Sequence, residues 1–172
     1  MMEVVLLIME AMPDGEYYDY AITGHNGDSP DIILVDWGKE KKPQNEKQKF
    51  EVLQSCVAYT QYCNAGDHTV EAIEAGNKNL QSVMKDDNDV EGFNIIFSDA
   101  NFSRYHITTA TVAAAMNVQE EARITNHLIL IASLDQEEAK KIQEVLVGQS
   151  SACFDTNVLT DVFKSILLDS LK

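Results

Sequence analysis

The sequence predicts an α/β domain of the three-layer type, in which helices cover a mostly parallel sheet. Short apolar segments of strand length alternate along the chain with longer segments whose apolar residues recur at helical spacing. The segment 93–97 is largely apolar and ends abruptly in Ser98-Asp99, which is typical of a buried strand in such a sheet. With 172 residues, 45% of them apolar, the chain is predicted to form one domain spanning residues 1–172.

The individual elements follow from hydrophobic periodicity and from the turn-forming residues between segments. The predicted strands are residues 18–23, 32–35, 93–97, 127–132 and 152–154. The predicted helices are residues 3–12, 46–63, 70–84, 108–121, 135–147 and 158–171. Residues 13–15 and Gly148 each end a helix, Asp67 or Thr69 caps the helix that begins at residue 70, and residues 39–43 form a polar loop.

The charge of the chain restricts its partners. A net charge of −15 and a pI near 4.4 argue against nucleic acids and anionic membranes as partners, because both would be repelled. Basic proteins and divalent cations are the partners that such a surface attracts. No segment reaches the roughly 18 to 20 apolar residues of a membrane span. The apolar run 4–9 is not a secretory signal, since no basic region precedes it and Glu3 and Glu10 flank it.

The cysteines indicate a reducing compartment. Cys56, Cys63 and Cys153 make an odd number without metal-binding spacing. Cys56 and Cys63 are seven residues apart on a predicted helix, so we expect them to be small buried residues on one face.

Polar segments are predicted to meet at the carboxyl edge of the sheet, where open α/β sheets bind their ligands. These segments are residues 24–28, 67–69, 98–101 and 132–133. Thr69 at a helix start offers a hydroxyl, and Asp99 at a strand end offers a carboxylate, which are two oxygen ligands for a hard divalent cation. A strand-end Asp serves equally well to cap a turn. From these residues alone, both interpretations stay open.

Catalytic and nucleotide-binding patterns do not occur in the sequence. It contains no G-x-G-x-x-G, no Walker A sequence and no nucleophile elbow. His25 and His68 are interpreted as structural imidazoles that bond to loop backbone, which is the commoner role, with a base or a metal ligand as the alternative. We therefore predict that the chain is not an enzyme.

Two of the polar segments resemble a known metal site. Residues 66–71 and 98–101 resemble the second and third elements of the metal-ion-dependent adhesion site of von Willebrand factor A domains, which have a Rossmann-like three-layer fold. The resemblance implies a Mg²⁺ ion with Thr69 as a direct ligand, Asp99 acting through water and Asp67 as a neighbour. The Asp-x-Ser-x-Ser loop of the family does not occur in the chain. Two oxygen donors are few for Mg²⁺, so we expect binding no tighter than about millimolar.

The resemblance extends over nearly the whole chain. Residues 18–28, 46–69 and 97–105 are similar to the C-terminal domain of a large eukaryotic AAA+ ATPase of this family, associated with mitochondria. That similarity implies a non-catalytic protein-interaction domain inside the cell, in mitochondria or alternatively in the cytoplasm, with AAA+ modules of the parent assembly as partners. The family's first, central strand, which carries the missing loop, is not found. Either the domain is truncated at its N-terminus, or it is a divergent form whose two half-sheets pair directly.

A phosphoacceptor domain of the response-regulator type is the alternative function. It would use Asp99 as the phosphorylated residue, because that family also places an Asp at a strand end. It needs in addition an acidic pair after its first strand and a Lys after a later strand. The predicted strand 127–132 is followed by Ser133 and has no Lys nearby.

Overall fold

The computed structural model describes residues 2–12, 18–99, 101–131 and 136–170. The chain divides into two compact units, Met1–His68 and Thr69–Lys172, which we call the N-terminal unit and the C-terminal unit. The predicted turn at residues 13–15, Ala100, and Ala132-Ser133 lie outside the described residues. The prediction of a single domain over residues 1–172, truncated at its first strand, stays a prediction.

The N-terminal unit packs two helices against a small antiparallel sheet. Its elements are helix α1 (Met2–Ala11), strands β1 (Ile22–Gly24) and β2 (Ile32–Val35), and helix α2 (Glu46–Gln61). The sheet and the inner faces of the helices bury an apolar cluster, formed by Val5, Met9, Tyr20, Ile22 and Val35. Asn45 starts α2, because its side chain accepts a hydrogen bond from the Gln48 backbone N–H at 3.0 Å.

The C-terminal unit is a parallel α/β sheet with flanking helices. Its elements are α3 (Thr69–Met84), β3 (Gly92–Ser98), α4 (Thr109–Met116), β4 (Ile124–Ile131), α5 (Gln136–Val145), β5 (Ser150–Cys153) and α6 (Leu159–Ser170). The three strands lie in the order β3-β4-β5, and both pairings are parallel. An apolar cluster in this unit includes Ile73, Ile96, Val112, Leu128 and Ile142. The α/β prediction, with helices flanking a parallel sheet, is confirmed.

Short 3₁₀ turns connect several of these elements. They span Lys39–Lys41, Ser103–Tyr105, Glu120–Ala122 and Thr156–Val158. No helix in the described parts of the chain is long and apolar enough to cross a membrane.

Several predicted boundaries were wrong by two residues or more, and three of them have a local reason. Residues 18–21 are not part of β1, since the Asp19 carboxylate accepts the Tyr20 backbone N–H at 2.8 Å and so occupies a donor that a strand ladder would need. The helix predicted over 108–121 ends at Met116, because Asn117 has extended backbone angles. Strand β4 begins at Ile124, three residues before the predicted start at His127. The prediction began too late because the polar Asn126, which is buried in the structure, interrupts the apolar pattern of the sequence.

The cysteines differ from the prediction as well. Cys56 and Cys63 are only half-buried, and Cys63 lies beyond the end of α2, so the two do not share a helical face. Burial still raises the pKa of the Cys56 thiol. Cys153 is buried at the end of β5, and all three cysteines are free thiols.

Candidate functional site

Thr69 and Asp99 both belong to the C-terminal unit, and both lie toward the carboxyl end of its sheet. Thr69 is the first residue of α3 and is fully buried, whereas Asp99 directly follows β3 and is exposed. A Cβ atom placed on Gly92, at the start of β3, would lie 2.7 Å from the Met84 sulfur at the end of α3. Since α3 packs against β3 with its last turn beside the start of the strand, its first turn points toward the strand's carboxyl end.

The carboxylate of Asp99 forms a turn. Its Oδ1 atom accepts the backbone N–H of Asn101 at 3.1 Å. An equivalent turn follows β5, where Oδ1 of Asp155 accepts the backbone N–H of Asn157 at 2.9 Å and its side-chain Nδ2–H at 2.8 Å. Both aspartates are exposed. The turn-capping interpretation of the strand-end Asp therefore describes the hydrogen bond that Asp99 makes, and this bond involves one of its two carboxylate oxygens.

Asp67 belongs to the N-terminal unit, where one of the predicted polar segments, residues 24–28, contacts the loop just before Asp67. The turn at residues 24–28 lies directly against the loop at residues 63–66. A Cβ atom on Gly27 would lie 2.0 Å from the Asn64 carbonyl oxygen, so only glycine allows this close approach. We call this contact the glycine clasp. Asp67 follows the clasp directly and is half-buried.

Side chains of the turn hold the glycine clasp closed. The Asp28 carboxylate accepts the backbone N–H of Asn64 at 2.9 Å and its side-chain N–H at 2.5 Å. These bonds, the backbone bond first, lower the pKa of the Asp28 carboxyl. Asn26 accepts the N–H groups of Asp28 and Ser29 and donates to the Tyr59 carbonyl at 3.1 Å. The clasp is thus a built structure, and Asn26 and Asp28 shape it.

The described residues offer oxygen donors of the kind that Mg²⁺ binds, but the number of these donors is small. No group of three or more His, Cys, Asp or Glu side chains in residues 2–12, 18–99, 101–131 and 136–170 is arranged to hold a metal ion. The buried Thr69 hydroxyl and the Asp99 carboxylate are hard oxygen donors, but Mg²⁺ takes six ligands. The metal roles of Thr69, Asp99 and Asp67 stay predictions.

An apolar groove between α1 and α2 was not predicted. It has a volume of 590 Å³ and is lined on the α1 side by Met2 and Leu6, and on the α2 side mainly by Phe50, Leu53 and Val57. Phe50, Leu53 and Val57 recur at helical spacing in the sequence. In the structure the Phe50 side chain is 59% exposed, so part of that apolar stripe faces outward. The helical spacing of these apolar residues can be read from the sequence, but the sequence does not indicate which of them are exposed.

The fold and the sequence together define the class. A three-stranded parallel sheet with flanking helices is consistent with the von Willebrand factor A-type fold that the sequence resemblance predicted. The chain is 34% identical over 175 aligned residues to "von Willebrand factor A domain-containing protein 8" of Mus musculus. The alignment covers 99% of this chain and 9% of the mouse protein. The chain is therefore related to a part of that protein, which supports a von Willebrand factor A-like domain.

The relationship covers a small part of the relative. The chain spans about a tenth of the length of the mouse protein, 9% by alignment. No protein-family model matches the chain. No solved structure matches it either.

Proposed function

We propose that this chain is a non-catalytic protein-interaction domain with a partial metal-ion-dependent adhesion site. The observation that carries the proposal is the relationship to a von Willebrand factor A domain-containing protein over 99% of the chain. The structure contributes the buried Thr69 at the start of α3 and the exposed Asp99 after β3, both in the C-terminal unit.

In this proposal the metal site is weak. Mg²⁺, when bound, supplies a positive charge to which a carboxylate of a partner protein can attach. Thr69 would be a direct ligand, Asp99 would act through water, and Asp67 would be a neighbour. Because the Asp99 Oδ1 atom already accepts a hydrogen bond from Asn101 at 3.1 Å, a metal would compete with the turn or use the other oxygen. We expect Mg²⁺ affinity no tighter than about millimolar.

The proposed partners are AAA+ modules of a larger assembly, in mitochondria. In a protein of the length of the mouse relative, a domain of this size would be one part among several. A net charge of −15 favours docking onto a basic surface. A binding experiment with purified AAA+ modules should therefore show association at low ionic strength that weakens as salt is added. Absence of association at low ionic strength would contradict this partner.

A Mn²⁺ titration followed by amide NMR tests the metal site. Mn²⁺ substitutes for Mg²⁺ at oxygen ligands and broadens the signals of nearby amides. We expect the Asn101 amide to broaden at Mn²⁺ concentrations at which the Asn157 amide does not, and Asp99→Ala to remove the difference. Asp155→Ala is the matched control, since Asp155 makes the same turn after another parallel strand.

Two outcomes would overturn the metal proposal. Equal broadening at Asn101 and Asn157 would mean that the ion follows the general negative charge of the chain. Micromolar Mg²⁺ affinity, measured by calorimetry, would mean that the site is complete, contrary to the small number of donors expected here.

A further inference from the structure

The groove between α1 and α2 is lined mostly by apolar side chains. The inner faces of both helices pack on the core of the N-terminal unit, through Val5 and Met9 of α1 and the partly buried Leu53 of α2. Large apolar side chains lie on the outer side of α2 and directly after it, with Phe50 59% and Tyr62 85% exposed. Single exposed apolar residues are common on protein surfaces, but a contiguous lined groove of 590 Å³ is a feature of binding sites.

The two helices that line the groove each span several turns. Helix α1, of 10 residues, is about 15 Å long, and helix α2, of 16 residues, is about 24 Å long. Met2 and Leu6 are four residues apart on α1, and Phe50, Leu53 and Val57 are three and seven residues apart on α2. These rows form two ridges, and side chains of a third helix at positions i, i+3 or i+4, and i+7 fit into the groove between them.

The charge of α1 and α2 determines which charged side chains would be favoured on a helix bound in the groove. Together α1 and α2 carry four carboxylates and two lysines. Both lysines are ion-paired within the unit: Lys47 lies 3.8 Å from Glu51, and Lys49 lies 2.5 Å from Glu10 and 3.0 Å from Glu46. Glu3 lines the groove itself. The surface is therefore net negative, and a second copy of the chain, with its own charge of −15, would be repelled.

We propose that the α1–α2 groove binds an amphipathic helix of a partner protein, with apolar residues facing the groove and lysines or arginines along its flanks. The proposal specifies a surface for the interaction function proposed above and in that sense rests on it. It uses a surface other than the carboxyl edge and needs no metal ion.

The test uses a fluorescent 15-residue peptide with leucines at i, i+4, i+7 and i+11 and lysines on its flanks. Binding to the full chain is followed by anisotropy at about 50 mM salt, where attraction between charges is strong. A second peptide has glutamates in place of the lysines, and a third has the first composition in scrambled order. We expect the basic peptide to bind at least tenfold more tightly than either control peptide.

Substitutions in α2 locate the binding site. The double substitution Phe50→Ser and Val57→Ser should weaken binding of the basic peptide at least tenfold. Tyr59→Ser is the matched control, because Tyr59 is on the same helix and 49% exposed but does not line the groove, and it should change binding less than twofold. Tyr62→Ser, at an 85% exposed position that lines the groove, should weaken binding without any effect on folding. Far-UV circular dichroism checks the fold of each variant.

Several results would overturn the groove proposal. Equal weakening by the Phe50 and Tyr59 substitutions, or equal affinity for the glutamate peptide, would contradict it. A dimer in sedimentation that Phe50→Ser dissociates would make a second copy the occupant instead. If the peptide does not bind but Mn²⁺ still broadens the Asn101 amide, only the groove proposal is overturned. If the peptide binds but Mn²⁺ does not broaden the Asn101 amide selectively, only the metal-site proposal is overturned.

Discussion

The two units of the chain bury polar groups in opposite ways, one around a charge and the other around neutral amides. In the N-terminal unit the side chain of Lys42 is only 4% exposed. Its ammonium group donates to the Tyr20 carbonyl, to the Asp36 carbonyl at 2.7 Å and to the Asp19 carboxylate at 2.7 Å. The Tyr20 ring lies 4.7 Å from the same nitrogen. An ammonium group has three donors, and these three acceptors match that number.

In the C-terminal unit three asparagines connect helices and strands without any charge. The Asn94 amide donates to the Asn126 side chain at 2.9 Å, and to the Asn77 side chain and the Ile73 carbonyl at 3.2 Å each. Asn77 donates to the Ala115 carbonyl at 3.2 Å. Asn126 is only 2% exposed and donates to the Met116 carbonyl at 3.0 Å. The network therefore joins α3, α4, β3 and β4.

The difference lies in access to water. The Asp19 side chain, which balances the Lys42 charge, is 41% exposed, so the charged cluster reaches solvent on one side. The asparagine network extends deep into the core, where an unpaired charge would cost several kcal/mol. A charge is tolerated near the surface with a hydrated counter-ion, and neutral amides are used where water is absent.

The largest expected effect comes from placing a charge in the asparagine network. Asn126→Asp keeps the shape of the side chain but puts an oxygen against the Met116 carbonyl and a carboxylate into a 2% exposed site. We expect a loss of about 3 to 5 kcal/mol in the free energy of unfolding at pH 7, measured by urea denaturation. Asn117→Asp is the control, since Asn117 is exposed, and it should cost less than about 1 kcal/mol. Equal losses would mean that the network does not depend on neutrality.

The second-largest effect is expected from removing the buried ammonium group of Lys42 in the N-terminal unit. Lys42→Met should cost about 2 kcal/mol, because the Tyr20 and Asp36 carbonyls each lose a donor, while Asp19 can take up water. Trp37, the single tryptophan, has its ring centre 6.0 Å from the Lys42 ammonium nitrogen, so its fluorescence reports on this cluster directly. The control is Lys41→Met. Because the Lys41 side chain is 55% exposed, this substitution should change the free energy of unfolding by less than about 0.5 kcal/mol.

The same substitution should alter the acid sensitivity of the unit. Burial acts to raise the pKa of the Asp19 carboxyl, but hydrogen bonds from Lys42, Gly38 and Tyr20 outweigh it and lower the pKa below 3.8. A lowered folded-state pKa stabilises the fold above pH 3.8 and loses this effect as the pH falls through the folded value. Lys42→Met should shift the Asp19 pKa upward in an NMR titration. An unchanged pKa would mean that the backbone N–H groups alone hold the carboxylate.

The sequence predicted the order of the elements because periodicity and turn residues are local signals. It predicted α2 and α3 nearly to the residue and the alternation of strands and helices in the C-terminal unit. Asn77 was also predictable as a buried polar residue, since it lies on the α3 face that holds Ile73, Leu80 and Met84. The apolar stripe of a helix indicates burial, and a polar residue within it indicates a buried partner.

What the sequence did not predict depends on contacts between distant segments. Lys42 was assigned to a polar loop, because its acceptors on Tyr20 and Asp36 come together only in the folded unit. For Asp99, the sequence offered a metal ligand and a turn cap as alternatives, and the structure contains the turn. The ligand roles of Thr69 and Asp67 depend on donors far apart in the chain and stay predictions.

A histidine supplies a third case, between the charged and the neutral cluster, and the smallest expected effect. His127 on β4 is half-buried, and its Nε2 atom lies 2.9 Å from the Ser151 hydroxyl oxygen on β5. Burial lowers the pKa of this imidazole below 6.5, so the folded unit favours the neutral ring. As the pH falls below 6.5, the unfolded chain takes up a proton before the folded chain does, and stability decreases. The decrease stops once the pH lies below the folded-state pKa.

His127→Gln should remove this pH dependence, because a glutamine side chain does not titrate. Urea denaturation at about pH 7.5, 6.5 and 5.5, above the range in which carboxylates titrate, measures the difference between the two proteins. An NMR titration that places the His127 pKa at or above 6.5 would contradict the prediction. It would also mean that β4 and β5 accept a charge at this position, so the C-terminal unit would not depend on neutral polar groups throughout.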